Sequence, residues 1–121
     1  MTFKRIAYSL LLGALLLMPA ASIHAQNKLE IKADHSRVKS GEILYVTGTG
    51  FAPDRTVISH LRRPDKTEYN PLRLRANARG EIVHKIDSAM LDIGTFEMWV
   101  EDEVTKSVSN HIQFTVESSV R

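Results

Sequence analysis

Cysteine is absent from the 121 residues. That excludes disulfides, a thiolate nucleophile and any cysteine-based metal site. Apolar residues never recur with a sustained 3.6-residue period, so no stretch of the folded part reads as an amphipathic helix. No Gly-x-Ser-x-Gly elbow occurs. Ser59 and His60 are neighbours in an alternating run, which sends their side chains to opposite faces and keeps them from pairing. An excess of positive charge is lacking too once the first 25 residues are set aside. Sixteen basic residues face fourteen acidic ones in the whole chain, but Lys4 and Arg5 supply two of them, so residues 26–121 carry fourteen of each. A domain without net charge has little to offer a phosphate backbone, and no nucleic-acid partner is expected.

What is present begins with an address. Lys4 and Arg5 form a short basic start, Leu10 to Met18 is a leucine-rich run broken only by Gly13, and Pro19 with Ala20, Ala21 and Ser22 ends it. This order predicts a cleavable signal peptide over residues 1–25, cut after the small residue Ala25, with Ser22 as the other option. Ile6 to Ile23 is also long enough to span a bilayer, but Pro19 and the small residues after it argue against an uncleaved anchor. No cysteine follows the run to take an acyl chain. The expected product is periplasmic or secreted, with no membrane insertion once the signal is gone. Its domain, residues 26–121, must be held by an apolar core alone, which buries roughly 60–65% of the unfolded surface at this size.

Period two dominates that domain. Lys28 to Asp34 alternates polar and apolar without a fault. Ser40-Gly41 turns the chain into Ile43 to Thr49, with Leu44 and Val46 on one face. Pro53-Asp54 is the next break, and Thr56 to Leu61 follows with Val57 and Leu61 inward. Pro64-Asp65-Lys66 is a turn signal. Leu72 to Ala76 alternates with both arginines outward, and Asn77-Ala78-Arg79-Gly80 predicts a hairpin returning through Glu81 to Ile86. Ser88 to Asp92 suits a single helical turn crossing between sheets. Thr95 to Glu101 puts Phe96, Met98 and Val100 on one face, and Asn110 to Glu117 does the same with Ile112, Phe114 and Val116. About seven short strands with turns at this spacing predict an all-β, antiparallel, immunoglobulin-like sandwich.

The run Ser40-Gly41-Glu42-Ile43-Leu44-Tyr45-Val46-Thr47-Gly48-Thr49-Gly50-Phe51-Ala52-Pro53 resembles the opening of bacterial secreted immunoglobulin-like domains. Their Gly-acidic turn starts a strand that ends in Gly-x-Gly-Phe-x-Pro. Pro64-Asp65, Asn77 to Gly80, Gly94-Thr95-Phe96 and Phe114-Thr115-Val116 resemble later landmarks of the group, so the likeness runs over residues 28–117. The chain departs at Lys66, where glycine is usual, which puts that turn's type in doubt. The resemblance implies a sandwich and a spacer, adhesin module or accessory subunit, not an activity. On the residues alone, Gly48 and Gly50 allow a bulge or close chain approach, and Phe51 can plug the end of the sandwich. They do not make a phosphate loop, since Pro53 stands where a third glycine is needed.

With Phe96, Met98 and Val100 inward, Glu97, Trp99 and Glu101 point out. The immunoglobulin order sets this strand between the third and the last. Outward Ile58, His60 and Arg62 then fall on one side, and His111, Gln113 and Thr115 on the other. The expected ligand-binding residues are therefore Trp99, His60, Arg62, Glu97, Glu101 and His111, because a tryptophan ringed by polar groups suits a protein or sugar contact. No catalytic residue, cofactor or metal is expected: Glu97 and Glu101 are about 13 Å apart along one strand, too far for a glycosidase pair. No two of His35, His60, His84 and His111 have a metal motif's spacing, though His60 and His111 could meet across strands. Residues 55–85 carry a net +5 and residues 86–121 a net −5. Cross-strand neutralisation or opposed patches for a partner would each explain that split. The function read from all this is an exported, non-catalytic module that contacts another envelope or extracellular protein. The alternatives are a carbohydrate-binding module centred on Trp99 and a structural accessory subunit.

Overall fold

The computed structural model describes residues 28–120. The expected signal segment and its cleavage site lie outside them. Eight strands follow in chain order: β1 (Glu30–Ala33), β2 (Arg37–Lys39), β3 (Ile43–Thr49), β4 (Thr56–Arg62), β5 (Leu72–Arg75), β6 (Ile82–Asp87), β7 (Gly94–Asp102) and β8 (Ile112–Glu117). They form two sheets, β1-β3-β6 and β2-β8-β7-β4-β5. Consecutive strands repeatedly change sheet, and β7 lies between β4 and β8, which is the immunoglobulin-like arrangement. The predicted sandwich class holds, with one strand more than expected. Every pairing is antiparallel except that of β2 with β8.

The core follows from the alternation. Leu44 and Val46 of β3, Val57 of β4, Phe96, Met98 and Val100 of β7, and Phe114 and Val116 of β8 are all buried. Phe96 and Phe114 are opposite each other in the register and stack with centroids 5.4 Å apart. Ile112 is partly buried against this cluster, as is Leu61. Phe51 closes one end, as its place after the glycines suggests. Gly50 has φ +89, and a Cβ there would run into the Lys28 carbonyl, so only glycine fits.

One local expectation is corrected and one open point, the turn at Lys66, is resolved. Asn77 to Gly80 does make a tight turn: Asn77 Oδ1 accepts the amides of Arg79 and Glu81, and Gly80 sits at φ +74. It is not a hairpin, however, because β5 bonds to β4 and β6 to β3, so the turn carries the chain from one sheet to the other. Turn residues dictate a local reversal and say nothing about which neighbour each strand finds. At Pro64 to Lys66, Lys66 itself adopts φ +77, the conformation glycine would favour. Its amide bonds back to Arg63 and the Arg63 amide to Thr67, closing a three-residue loop of a turn plus a left-handed residue. The turn is kept and lysine bears the strain.

The single helical turn exists as a 3-10 turn over Ser88–Met90, linking β6 to β7 across the sheets. Ser88 is fully buried there, donating to the carbonyl region of Lys39 and Glu42 and accepting from the Gly41 amide.

Candidate functional site

The outer face of the five-stranded sheet carries the predicted residues. The register sets His60 opposite Trp99, Arg62 opposite Glu97 and Ile58 opposite Glu101, with Gln113 and Thr115 on the far side. All six expected residues are brought together. His60 stacks on Trp99 with centroids 5.2 Å apart and planes 10° apart, and His111 does so at 4.6 Å and 4°. The Arg62 guanidinium carbon also lies 5.0 Å from the tryptophan ring centre. Strand alternation puts the rings on this face, and the flanking strands β4 and β8 place one histidine on each side of β7.

Both histidines and the arginine of the stack have a carboxylate partner. His60 Nε2 donates to Glu101 Oε1 at 3.0 Å, and His111 Nδ1 to Glu97 Oε2 at 2.7 Å. Arg62 Nη1 donates to the other oxygen of Glu97 at 2.9 Å, and Arg62 Nη2 reaches Glu68 at 3.6 Å. The His111 hydrogen bond, helped by the charges of Arg62, His111 and Lys66 and opposed by desolvation, holds the Glu97 carboxyl below its ordinary value. The result is a ladder, Glu101–His60–Trp99–His111–Glu97–Arg62, in which stacking alternates with hydrogen bonds to carboxylates.

Two consequences follow. His60 and His111 do not meet, because the Trp99 ring stands between them; among the described residues no three of His, Asp and Glu cluster to hold a metal ion. Both faces of the indole are also covered, so only its edge is open.

The opposed charges of the sequence resolve as cross-strand pairs. Arg55 lies 3.4 Å from Asp102, Arg62 pairs with Glu97, and Arg73 with Glu103. Each joins the basic segment to the acidic one. Asp102 escaped the sequence reading, although it follows β7's inward alternation. It is buried, which by itself raises its pKa, yet the amides of Thr105 and Val104 and the charge of Arg55 outweigh this and leave it lowered. His84 was likewise unremarkable in sequence. It lies on the inward side of β6, where burial lowers its pKa and its Nδ1 has no hydrogen-bond partner.

No protein-family model and no curated protein matches the chain. Among solved structures it is similar to the crystal structure of the CARDB domain of the PF1109 protein from Pyrococcus furiosus, in complex with di-metal ions. The identity is 14% over 76% of this chain and 93% of that one, with a TM-score of 0.44. The solution NMR structure of that domain gives 16% identity, 74% and 93% coverage and a TM-score of 0.43. At such values the likeness transfers no ligand or role.

Proposed function

We propose that this chain is an exported, non-catalytic immunoglobulin-like module that works in the periplasm or outside the cell by contact with another envelope or extracellular protein. The contact surface is the outer face of the five-stranded sheet around Trp99. The observation that carries this reading is the preordered ladder of stacked rings and hydrogen bonds. Side chains already fixed lose little freedom on binding, and tryptophan and arginine are the residue types that anchor protein contacts. A sugar bound by stacking needs a free aromatic face, and His60 with Arg62 on one side and His111 on the other cover both. The geometry therefore favours a protein over a glycan. Export is supported by the basic start, apolar run and small residues of positions 1–25.

A photo-crosslinking residue at Gln113, on this face, tests the contact in the native envelope against one at Tyr45 on the other sheet. The expected result is a discrete adduct from position 113 that disappears with Trp99→Ala. An adduct from position 45 alone, or none from either, removes the proposed face. Intact mass tests the address: the mature protein is expected to lack about 25 residues.

A further inference from the structure

On the side of the sandwich away from β1 and β2, each sheet ends in a strand with a single neighbour among the described residues: β5 bonds to β4, and β6 to β3. Between the two edges runs a cleft of about 280 Å³, walled by Leu61, Tyr69, Leu72, Ile86, Met90 and Leu91. Its rim is apolar and open, with Leu72 49% and Met90 79% exposed. We propose that this cleft accepts an extended segment of a partner protein, which adds a strand to the free edge of β6. The inference rests on the reading that the chain works by protein contact, and not on where that reading places the contact.

Three observations select a strand as the occupant. First, an unpaired β edge offers a row of backbone donors and acceptors, and only another extended backbone matches it along its length. β6 is six residues long, longer than the four-residue β1 that covers the opposite edge of β3. Second, β6 shows both of its faces at this edge. Val83, 66% exposed, points outward, while His84 and Ile86 face the cleft side. A strand laid beside β6 alternates in step, covering Val83 with one set of side chains and filling the cleft with the other. It also brings amide groups alongside His84, whose Nδ1 has no partner among the described residues. Third, the outward Lys85 of β6 is exposed and forms no ion pair among the described residues, while the Asp87 carboxylate two residues on accepts the Ala89 amide. The segment that fits is thus apolar at alternate positions, with an acidic residue set against Lys85.

The test titrates protein labelled with ¹⁵N and with ¹³C at the methionine methyls, using acetyl-Glu-Val-Glu-Leu-Glu-Val-Glu-amide, the same peptide carrying lysine in place of glutamate, and a version whose central leucine is proline. The expected result is that the acidic peptide shifts the amides of Val83 to Asp87 and the Met90 methyl at millimolar concentration. The lysine peptide binds at least tenfold more weakly, and the proline peptide leaves β6 unmoved. Lys85→Glu and Met90→Ser, both at exposed positions, each weaken the acidic peptide severalfold, while Trp99→Ala leaves it unchanged. No shift in β6, equal binding of the proline peptide, or shifts centred on the Trp99 face would each overturn the proposal. Loss of the position-113 crosslink with an intact β6 titration would instead sink the Trp99 reading alone.

Discussion

Trp99 and His111 lie face to face, their ring centroids 4.6 Å apart and their planes 4° from parallel. The contact ties the end of β7 to the approach of β8, and it makes the tryptophan a pillar of its own sheet as well as a surface. Trp99→Ala is expected to cost about 1–2 kcal/mol, since two ring contacts are lost but no core is opened. A double-mutant cycle with His111→Ala, read by denaturant unfolding, should return a coupling of about 0.5–1.5 kcal/mol. A coupling of zero would mean the rings merely coincide.

Phe114→Ala is expected to cost about 3–5 kcal/mol. Phe114 is buried against Phe96 at the centre of the sandwich, and no disulfide shares the load. A loss below that of Trp99→Ala would contradict the placement of the core.

Lys66→Gly is expected to stabilise the domain by about 0.5–1 kcal/mol. A left-handed backbone costs a non-glycine residue about 1–2 kcal/mol, and glycine's greater freedom in the unfolded chain returns part of that. An unchanged or lower midpoint in urea would show that Lys66 is not strained at φ +77.

Asp102 and Glu97 both have pKa values lowered in the folded state, so each stabilises the fold above its ordinary value and loses that contribution as pH falls through its folded value. The window lies below 3.8 for Asp102 and below 4.5 for Glu97. Melting temperature should therefore begin to fall below about pH 6.5, where the unfolded chain protonates His84 more readily than the fold does, and decline further in the carboxylate range. Asp102→Asn is expected to cost about 1–3 kcal/mol at pH 7, from weaker acceptance of the Val104 and Thr105 amides, and to flatten the acid limb. An acid limb as steep as in the parent protein would assign the acid sensitivity elsewhere.

Much of this was legible in the sequence because a period of two fixes which side chains share a face. Leu44, Val46, Phe96, Met98, Val100, Phe114 and Val116 were all placed inward by alternation, and Trp99 outward with its five companions. Three things were not legible. β2 is three residues with only Val38 buried, too short to show a period. The Asn77 to Gly80 turn has the same chemistry whether it joins paired strands or passes between sheets. The covering of both indole faces depends on the rotamers of His60 and His111, which alternation does not specify.

The parallel pairing of β2 with β8 joins the beginning of the fold to its end. Arg37 to Lys39 lies along Thr115 to Glu117, reinforced by the Ser36 carbonyl with the Thr115 amide, the Glu117 carbonyl with the Ser40 amide, and an ion pair from Arg37 to Glu117. Tension applied between the two termini pulls β2 and β8 in opposite directions along their lengths. Their hydrogen bonds are then sheared together instead of being peeled one at a time, so once a pull has passed β1 this parallel pair resists it as a unit.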